Sequence, residues 1–171
     1  MQQKKLLFVG FGLLFVTLIS CDTCSKAKLE ANKDVVHRFV DALNNQEFNL
    51  LDDLVASDFV RHSQATADAQ VRSLEEFKEL QKEFLKSFPD QRVTGEILIA
   101  EGDYVAGYAT YTGTQEEPMG SFPASGKKVE SKFLSLFRLE EGKIVELWVE
   151  YDNLAMLKQL GHLPLPEERK E

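Results

Sequence analysis

The sequence predicts an α+β fold in which amphipathic helices precede an antiparallel sheet. In the first half of the chain, apolar residues recur every three or four positions, which is typical of helices that bury one face. In the second half, apolar and polar residues alternate in segments separated by glycine-containing turns, which is typical of strand hairpins. Helices followed by strands, rather than alternating with them, indicate α+β and not a parallel α/β sheet.

Three helices are expected before the sheet, over residues 29–44, 49–56 and 73–87. The third has the clearest start, because Ser73 with Glu76 three positions later matches a capping box. Residues 57–62, between the second and third helices, are expected to be a linker, with Arg61 solvated.

Four strands are expected in two hairpins, over residues 93–100, 104–112, 129–139 and 143–151. Glu101-Gly102-Asp103 and Glu140-Glu141-Gly142 are the turns within these hairpins. A last helix over residues 153–160 is expected to end at Gly161, since glycine is favoured just after a helix.

The N-terminus has the anatomy of a cleaved export signal. Lys4 and Lys5 precede an apolar run of 14 residues, Leu6–Ile19, which is too short to span a bilayer comfortably. The following Leu18-Ile19-Ser20-Cys21 resembles a bacterial lipobox, in which the cysteine thiol takes a diacylglycerol and its amine a further acyl chain such as palmitate. A plain secretory signal and an uncleaved anchor remain the alternatives.

These features divide the chain into four parts: a lipoprotein signal peptide (1–20), a tether with lipidated Cys21 (21–28), a folded domain (29–164) and a charged tail (165–171). We therefore expect a lipoprotein of the bacterial cell envelope, membrane-anchored and facing the periplasm or the exterior.

Charge and metal-ligand residues exclude several classes of function. The chain has a net charge of −8, and because the leader carries two lysines and no acid, the remainder carries −10. Such acidity argues against nucleic-acid binding, which needs clustered Lys and Arg. No two of the three histidines lie at metal-ligand spacing, and both cysteines lie at the very start of the mature chain, so a metal site has little support.

Several segments, in their order and spacing, resemble the SnoaL-like polyketide cyclases, also called ester cyclases. They are Phe88-Pro89-Asp90, residues 98–105, 111–114, 126–130 and 137–146, Trp148, Asp152-Asn153-Leu154 and Gln159-Leu160-Gly161. The similarity covers nearly all of residues 31–164.

This resemblance implies a fold of the nuclear-transport-factor-2-like (NTF2-like) type, a cone-shaped α+β barrel whose curved antiparallel sheet wraps around helices. It also implies a homodimer formed through the sheet. The implied activity is cofactor-independent general acid/base catalysis on a small hydrophobic carbonyl compound, by aldol-type cyclisation or isomerisation. Because the same fold also hosts binding proteins, a non-catalytic binder of a hydrophobic molecule or lipid is the alternative.

The last strand offers two faces for a pocket. Ile144, Glu146, Trp148 and Glu150 alternate with Val145, Leu147, Val149 and Tyr151. Periodicity alone leaves open which set faces a ligand. The resemblance favours the mixed acid and aromatic set, with Glu146 and Trp148 on the pocket wall.

The resemblance implies that Asp152 is the general acid/base, while the sequence allows an N-cap of the last helix equally well. His62 is expected to pair with Asp152 as a second catalytic group, or else to be a surface or wall histidine. Tyr104, Tyr108 and Tyr111 are candidate phenol donors, and Tyr108 is expected in the pocket, although strand register decides which of the three face inward. Many relatives have histidine where this chain has Gln115, and His162 is expected to be exposed in the tail.

Overall fold

The computed structural model describes residues 16–64 and 71–163, with side chains from Cys24 onward. Its elements, in chain order, are α1 (Val16–Asn44), a 3₁₀ turn (Phe48–Leu50), α2 (Leu51–Leu54), β1 (Val55–His62), α3 (Leu74–Ser87), β2 (Arg92–Glu101), β3 (Tyr104–Thr114), β4 (Lys128–Glu140), β5 (Lys143–Tyr151) and α4 (Asn153–Leu160). Four helices and one mixed sheet confirm the α+β prediction.

The sheet has the order β1-β5-β4-β3-β2. Strands β2 to β5 form the predicted antiparallel hairpins, each within two residues of its expected bounds. The predicted linker over residues 57–62 is wrong, because this segment belongs to β1, which pairs in parallel with β5. The pairing is stabilised by Phe59, whose fully buried ring packs edge-on against Phe77 of α3.

Helix α1 starts well before the expected Leu29. Residues 22–28, expected as a polar tether, are helical, which is consistent with the absence of Gly and Pro and the presence of one Ala and two Lys. Within the described residues, no helix is long and apolar enough to cross a bilayer. Most of the predicted signal peptide (residues 1–15) and the charged tail (165–171) lie outside the described residues.

Local sequence signals mark the start of α3 and the end of α4. Ser73 Oγ accepts the Glu76 N–H at 3.2 Å, and the Glu76 carboxylate accepts the Arg72 N–H at 2.7 Å. Gly161 ends α4 in the left-handed region, at φ 80°. The second predicted helix is shorter than expected, because the chain already becomes extended at Val55, where β1 begins.

Two apolar clusters stabilise the sheet from one side, here called its inner face. In the larger cluster, Phe39 of α1 stacks on Phe77 of α3 at 5.7 Å and meets Phe137 of β4 edge-on at 5.8 Å. The smaller cluster joins α4 to the sheet through Met156, Leu160 and Val129, together with Phe88. The helices therefore cover the inner face and leave the opposite, outer face without helices among the described elements.

Candidate functional site

A cavity of about 660 Å³ lies between the inner face of the sheet and helices α1 and α3. Its wall is largely apolar, and six phenylalanines contribute to it: Phe39, Phe77, Phe84, Phe88, Phe133 and Phe137. A volume of this size with a mostly apolar wall and a few polar groups is typical of small-molecule sites.

Helical periodicity explains how α3 contributes to the wall. Phe77, Gln81 and Phe84 are spaced four and three residues apart, so they lie on one face of the helix, and all three line the cavity. Residues on the other face of α3 are exposed, including Glu79, which pairs with Lys82 at 2.6 Å.

The inner face of β5 is the apolar set, contrary to the expectation for Glu146 and Trp148. Leu147, Val149 and Tyr151 line the cavity, whereas Glu146 and Trp148 do not. Burial of apolar surface favours this register, because the opposite one would bury a carboxylate against the phenylalanines of the helices.

The structure does bring three predicted site residues together, but on the outer face. His62 stacks on Trp148 with ring centroids 4.8 Å apart, and its Nε2 lies 3.3 Å from Glu146 Oε1. Arg138 Nε donates to the other oxygen of Glu146. Arg138, and less strongly His62, lowers the pKa of Glu146 below the usual carboxyl range. This is a charged surface cluster beside an aromatic pair.

Asp152 is exposed and caps α4. Its Oδ1 accepts the Ala155 N–H at 2.9 Å, and the side chain is not part of the cavity wall. Asp152 and His62 are therefore not joined in the cavity. Their catalytic roles remain predictions, and the capping role left open by the sequence is observed.

Tyr108, one of the residues expected in the pocket, borders the cavity from β3. Strand alternation places its neighbours Gly107 and Ala109 on the inner face, where both are buried. The Tyr108 ring lies beneath the ammonium of Lys132, 5.3 Å from Nζ to the ring centroid. The Tyr108 ring therefore extends to the outer side of β3, next to a surface cation.

Arg61 was expected to be solvated, but it is half-buried and lines the cavity. In the parallel pairing it lies beside Leu147, so the two side chains share the inner face. Burial lowers the pKa of the Arg61 guanidinium, with Tyr151 and Glu150 acting in the opposite direction. Reading residues 57–62 as a strand would have revealed this position, because Arg61 lies two residues after buried Phe59.

Other polar residues of the wall include Tyr111, one of the three tyrosines that the sequence offered as phenol donors. Tyr111 OH donates to Gln91 Oε1 at 3.3 Å, and burial raises the pKa of the Tyr111 phenol well above its usual value. Tyr111 is thus a neutral hydrogen-bonding group at neutral pH. His37 and Asp41, one turn apart on α1, border the cavity and are exposed.

The cavity opens between α1 and β2. The lining residues of these two elements that are exposed to solvent are His37, Asp41, Arg92, Thr94, Gly95, Glu96 and Ile97. In the described ranges, no three His, Cys, Asp or Glu side chains are grouped so as to hold a metal ion.

His162 is not an exposed tail residue. It is half-buried, and its Nε2 lies 2.7 Å from Oε1 of the fully buried Gln115. The Gln115 amide also donates to the carbonyl of Pro123 at 3.1 Å. Gln115 therefore joins the β3–β4 loop to the end of α4 and has a structural role.

Comparison with known proteins identifies this architecture. Residues 33–160 match the SnoaL-like polyketide cyclase family. The chain belongs to that family. Its SnoaL-like domain has the NTF2-like fold that the sequence resemblance implied, and membership supports a cyclase- or isomerase-type function. No curated protein sequence matches the chain.

Solved structures agree with this assignment over almost their whole lengths. IdmH of Streptomyces antibioticus, assigned as a polyketide cyclase, is 29% identical with a TM-score of 0.68, covering 76% of this chain and 98% of IdmH. AclR of Streptomyces galilaeus, assigned as a hydroxylase, is 30% identical with a TM-score of 0.67, covering 80% and 99%. TsrD of Streptomyces laurentii is 25% identical with a TM-score of 0.70, covering 78% and 97%.

Proposed function

We propose that the SnoaL-like domain binds a small, largely apolar molecule in its cavity. The observation that carries this proposal is the cavity itself, about 660 Å³ between the sheet and α1 and α3, walled by phenylalanines. Binding there removes apolar surface of both ligand and wall from water, which is favourable at roughly 25 cal/mol per Å² before the costs of association.

Equilibrium dialysis of methyl decanoate tests this proposal. The full chain is held in phospholipid nanodiscs, with empty nanodiscs on the other side to cancel partition into lipid. Val149→Trp places a large side chain in the cavity and is expected to abolish specific uptake. Leu154→Trp, at an exposed position of α4 outside the cavity wall, is the control and should bind normally. Equal uptake by both variants would contradict binding in the cavity.

The second candidate function is cofactor-independent acid/base catalysis on a small hydrophobic carbonyl compound. Family membership supports it, and so does the placement of His37 and Asp41, two titratable groups one helical turn apart at the cavity. The family resemblance adds Asp152 as a general acid/base. A base would take the proton between two carbonyl groups, and the resulting enolate would then attack a second carbonyl or be reprotonated elsewhere.

Proton–deuterium exchange at the central carbon of acetylacetone, followed by NMR in D₂O, tests catalysis. Asp152→Asn keeps the helix cap but cannot transfer a proton, and His37→Gln and Asp41→Asn remove the two groups at the cavity. A catalytic domain should accelerate exchange, and at least one of these variants should lose the acceleration. Exchange at the buffer rate with the wild-type chain would leave binding as the function.

We further propose that the chain is an envelope lipoprotein anchored through acylated Cys21. The support is the basic start, the apolar run and the lipobox-like Leu18-Ile19-Ser20-Cys21. A body with a charge of −10 is repelled by anionic headgroups, so acyl chains would have to hold it at the membrane. Cys21→Ala should abolish incorporation of labelled palmitate and release the chain from membranes. Cys24→Ala, an exposed neighbouring thiol, is the control and should leave both unchanged.

A further inference from the structure

We propose that Arg61 binds the carboxylate of a hydrophobic acid, so that the cavity prefers an acid to its neutral ester. This inference rests on the proposed binding function and names the class of ligand. Arg61 is a half-buried cation among the apolar side chains of the inner face.

Strand pairing fixes where Arg61 lies. The parallel register places it beside Leu147 and one residue before His62, which lies beside Trp148 on the outer face. Alternation therefore directs Arg61 to the inner face, on the same side as Leu147 and Val149, and all three line the cavity. The backbone N–H of Arg61 donates to the Val71 carbonyl at 3.0 Å, which holds the end of β1 in place.

The other charged groups of the described cavity wall differ from Arg61 in their exposure or in the element that carries them. His37, Asp41, Arg92 and Glu96 are exposed at the opening. Lys33 is partly buried but belongs to α1 and not to the sheet. Arg61 is thus the half-buried cation that the sheet contributes to the described wall. The Glu150 carboxylate, whose charge acts on Arg61, does not line the cavity.

The chemistry of the guanidinium favours a carboxylate. Its five N–H donors form a planar fork, which can hold both oxygens of a carboxylate in addition to contacts within the protein. Burial disfavours the charged form of Arg61, as its lowered pKa indicates, and a bound anion would offset that cost. Tyr111, kept neutral by burial, introduces no competing negative charge into the wall.

An acid with an aliphatic or aromatic body matches the rest of the wall. With its carboxylate at Arg61 on β1, the body would extend along the phenylalanines contributed by α3 and β4. Decanoate is a suitable probe of this class, and methyl decanoate is its neutral counterpart of nearly the same shape.

Paired dialysis of decanoate and methyl decanoate tests the assignment, with the full chain in nanodiscs and empty nanodiscs opposite. A charge-assisted, bidentate contact predicts a preference of roughly 10- to 100-fold for the acid in the wild-type chain, measured relative to the nanodisc blank. Arg61→Gln should abolish that preference while keeping methyl decanoate binding. Arg61→Lys should retain only part of it, because an ammonium lacks the planar fork.

Arg38→Gln is the matched control, since it removes an exposed arginine of α1 that does not line the cavity. Circular dichroism melting verifies that each variant is folded, and Arg61→Met provides a second neutral variant if Arg61→Gln does not fold. Equal binding of acid and ester by the wild-type chain, or an unchanged preference in a folded neutral variant, would overturn the role of Arg61. Failure of both probes to bind the wild-type chain would instead overturn the proposed binding function.

Discussion

At the scale of single residues, the position of the Asp152 carboxylate is explained by its role as the N-cap of α4. Its carboxylate accepts the Ala155 N–H at the start of α4. Asp152→Asn should unfold at nearly the wild-type urea concentration, because asparagine caps about as well, whereas Asp152→Ala should lose about 1 kcal/mol. An Asp152→Asn chain as unstable as Asp152→Ala would show that the charge, and not the cap, is what stabilises the protein.

Glu146 gives a pH dependence with a definite sign. Arg138, and then His62, lowers the pKa of Glu146 in the folded state. The resulting stabilisation is therefore complete above the pKa of the unfolded chain, about 4, and is lost as the pH falls through the lower folded value. Urea unfolding at pH values of about 6 and 3 should show the gap between wild type and Glu146→Gln narrowing at the acidic value. A gap that stays constant would contradict this account of the outer cluster.

Residue identity alone did not distinguish the two faces of β5. Glu146 and Trp148 have the chemistry expected of a pocket wall, yet Leu147, Val149 and Tyr151 line the cavity. The deciding fact is which face of the sheet the helices cover, and that depends on contacts between residues far apart in the chain, such as Phe39 with Phe137. Local periodicity gives the alternation but not its direction.

At the scale of elements, Asn44 joins the end of α1 to the start of β2. Its amide donates to the Val93 carbonyl and accepts the Val93 N–H, both at 2.8 Å. Asn44→Leu removes both bonds and leaves partly buried backbone groups unpaired, so chemical denaturation should show a loss of roughly 1–3 kcal/mol. The exposed neighbour Asn45 is the control, and Asn45→Leu should cost clearly less. Similar losses in both variants would mean that this connection contributes little.

The elements that the sequence predicted well are those with local signals. The capping box of α3, the glycine turn between β4 and β5 and the glycine after α4 all lie where expected. Strand β1 has no such signal: Asp58 and Arg61 interrupt its apolar pattern, and its partner β5 is more than 80 residues away. Missing β1 also hid Arg61, which is why the cavity's half-buried cation was taken for a solvated side chain.

At the scale of the whole molecule, the outer face of the sheet is the surface on which we propose homodimer formation. Strand pairing across β2, β3 and β4 forms two rows of neighbouring residues on this face. One row is Ile97, Tyr108 and Leu134, and the other is Ile99, Ala106 and Leu136. The four aliphatic side chains of these two rows are all exposed. A contiguous apolar patch of this kind is typical of an interaction surface.

Leu134→Glu places a charge in the middle of this patch and should convert a dimer to a monomer in sedimentation velocity. A two-fold symmetric interface contains the same residue from each subunit, so Leu134→Glu would bury two carboxylates in the interface. Leu154→Glu, at an exposed leucine of α4 away from the sheet, is the control and should leave the assembly unchanged. A wild-type chain that sediments as a monomer would contradict the proposal directly.

The central claim is that the cavity between the sheet and helices α1 and α3 binds a hydrophobic molecule, with Arg61 at its polar end. A crystal structure of the chain with decanoate tests it most directly. We expect the aliphatic chain against Phe84 and Phe133 and the carboxylate within hydrogen-bonding distance of the Arg61 guanidinium. Decanoate found only on the outer face, beside Trp148 or Leu136, with the cavity filled by water, would contradict the claim.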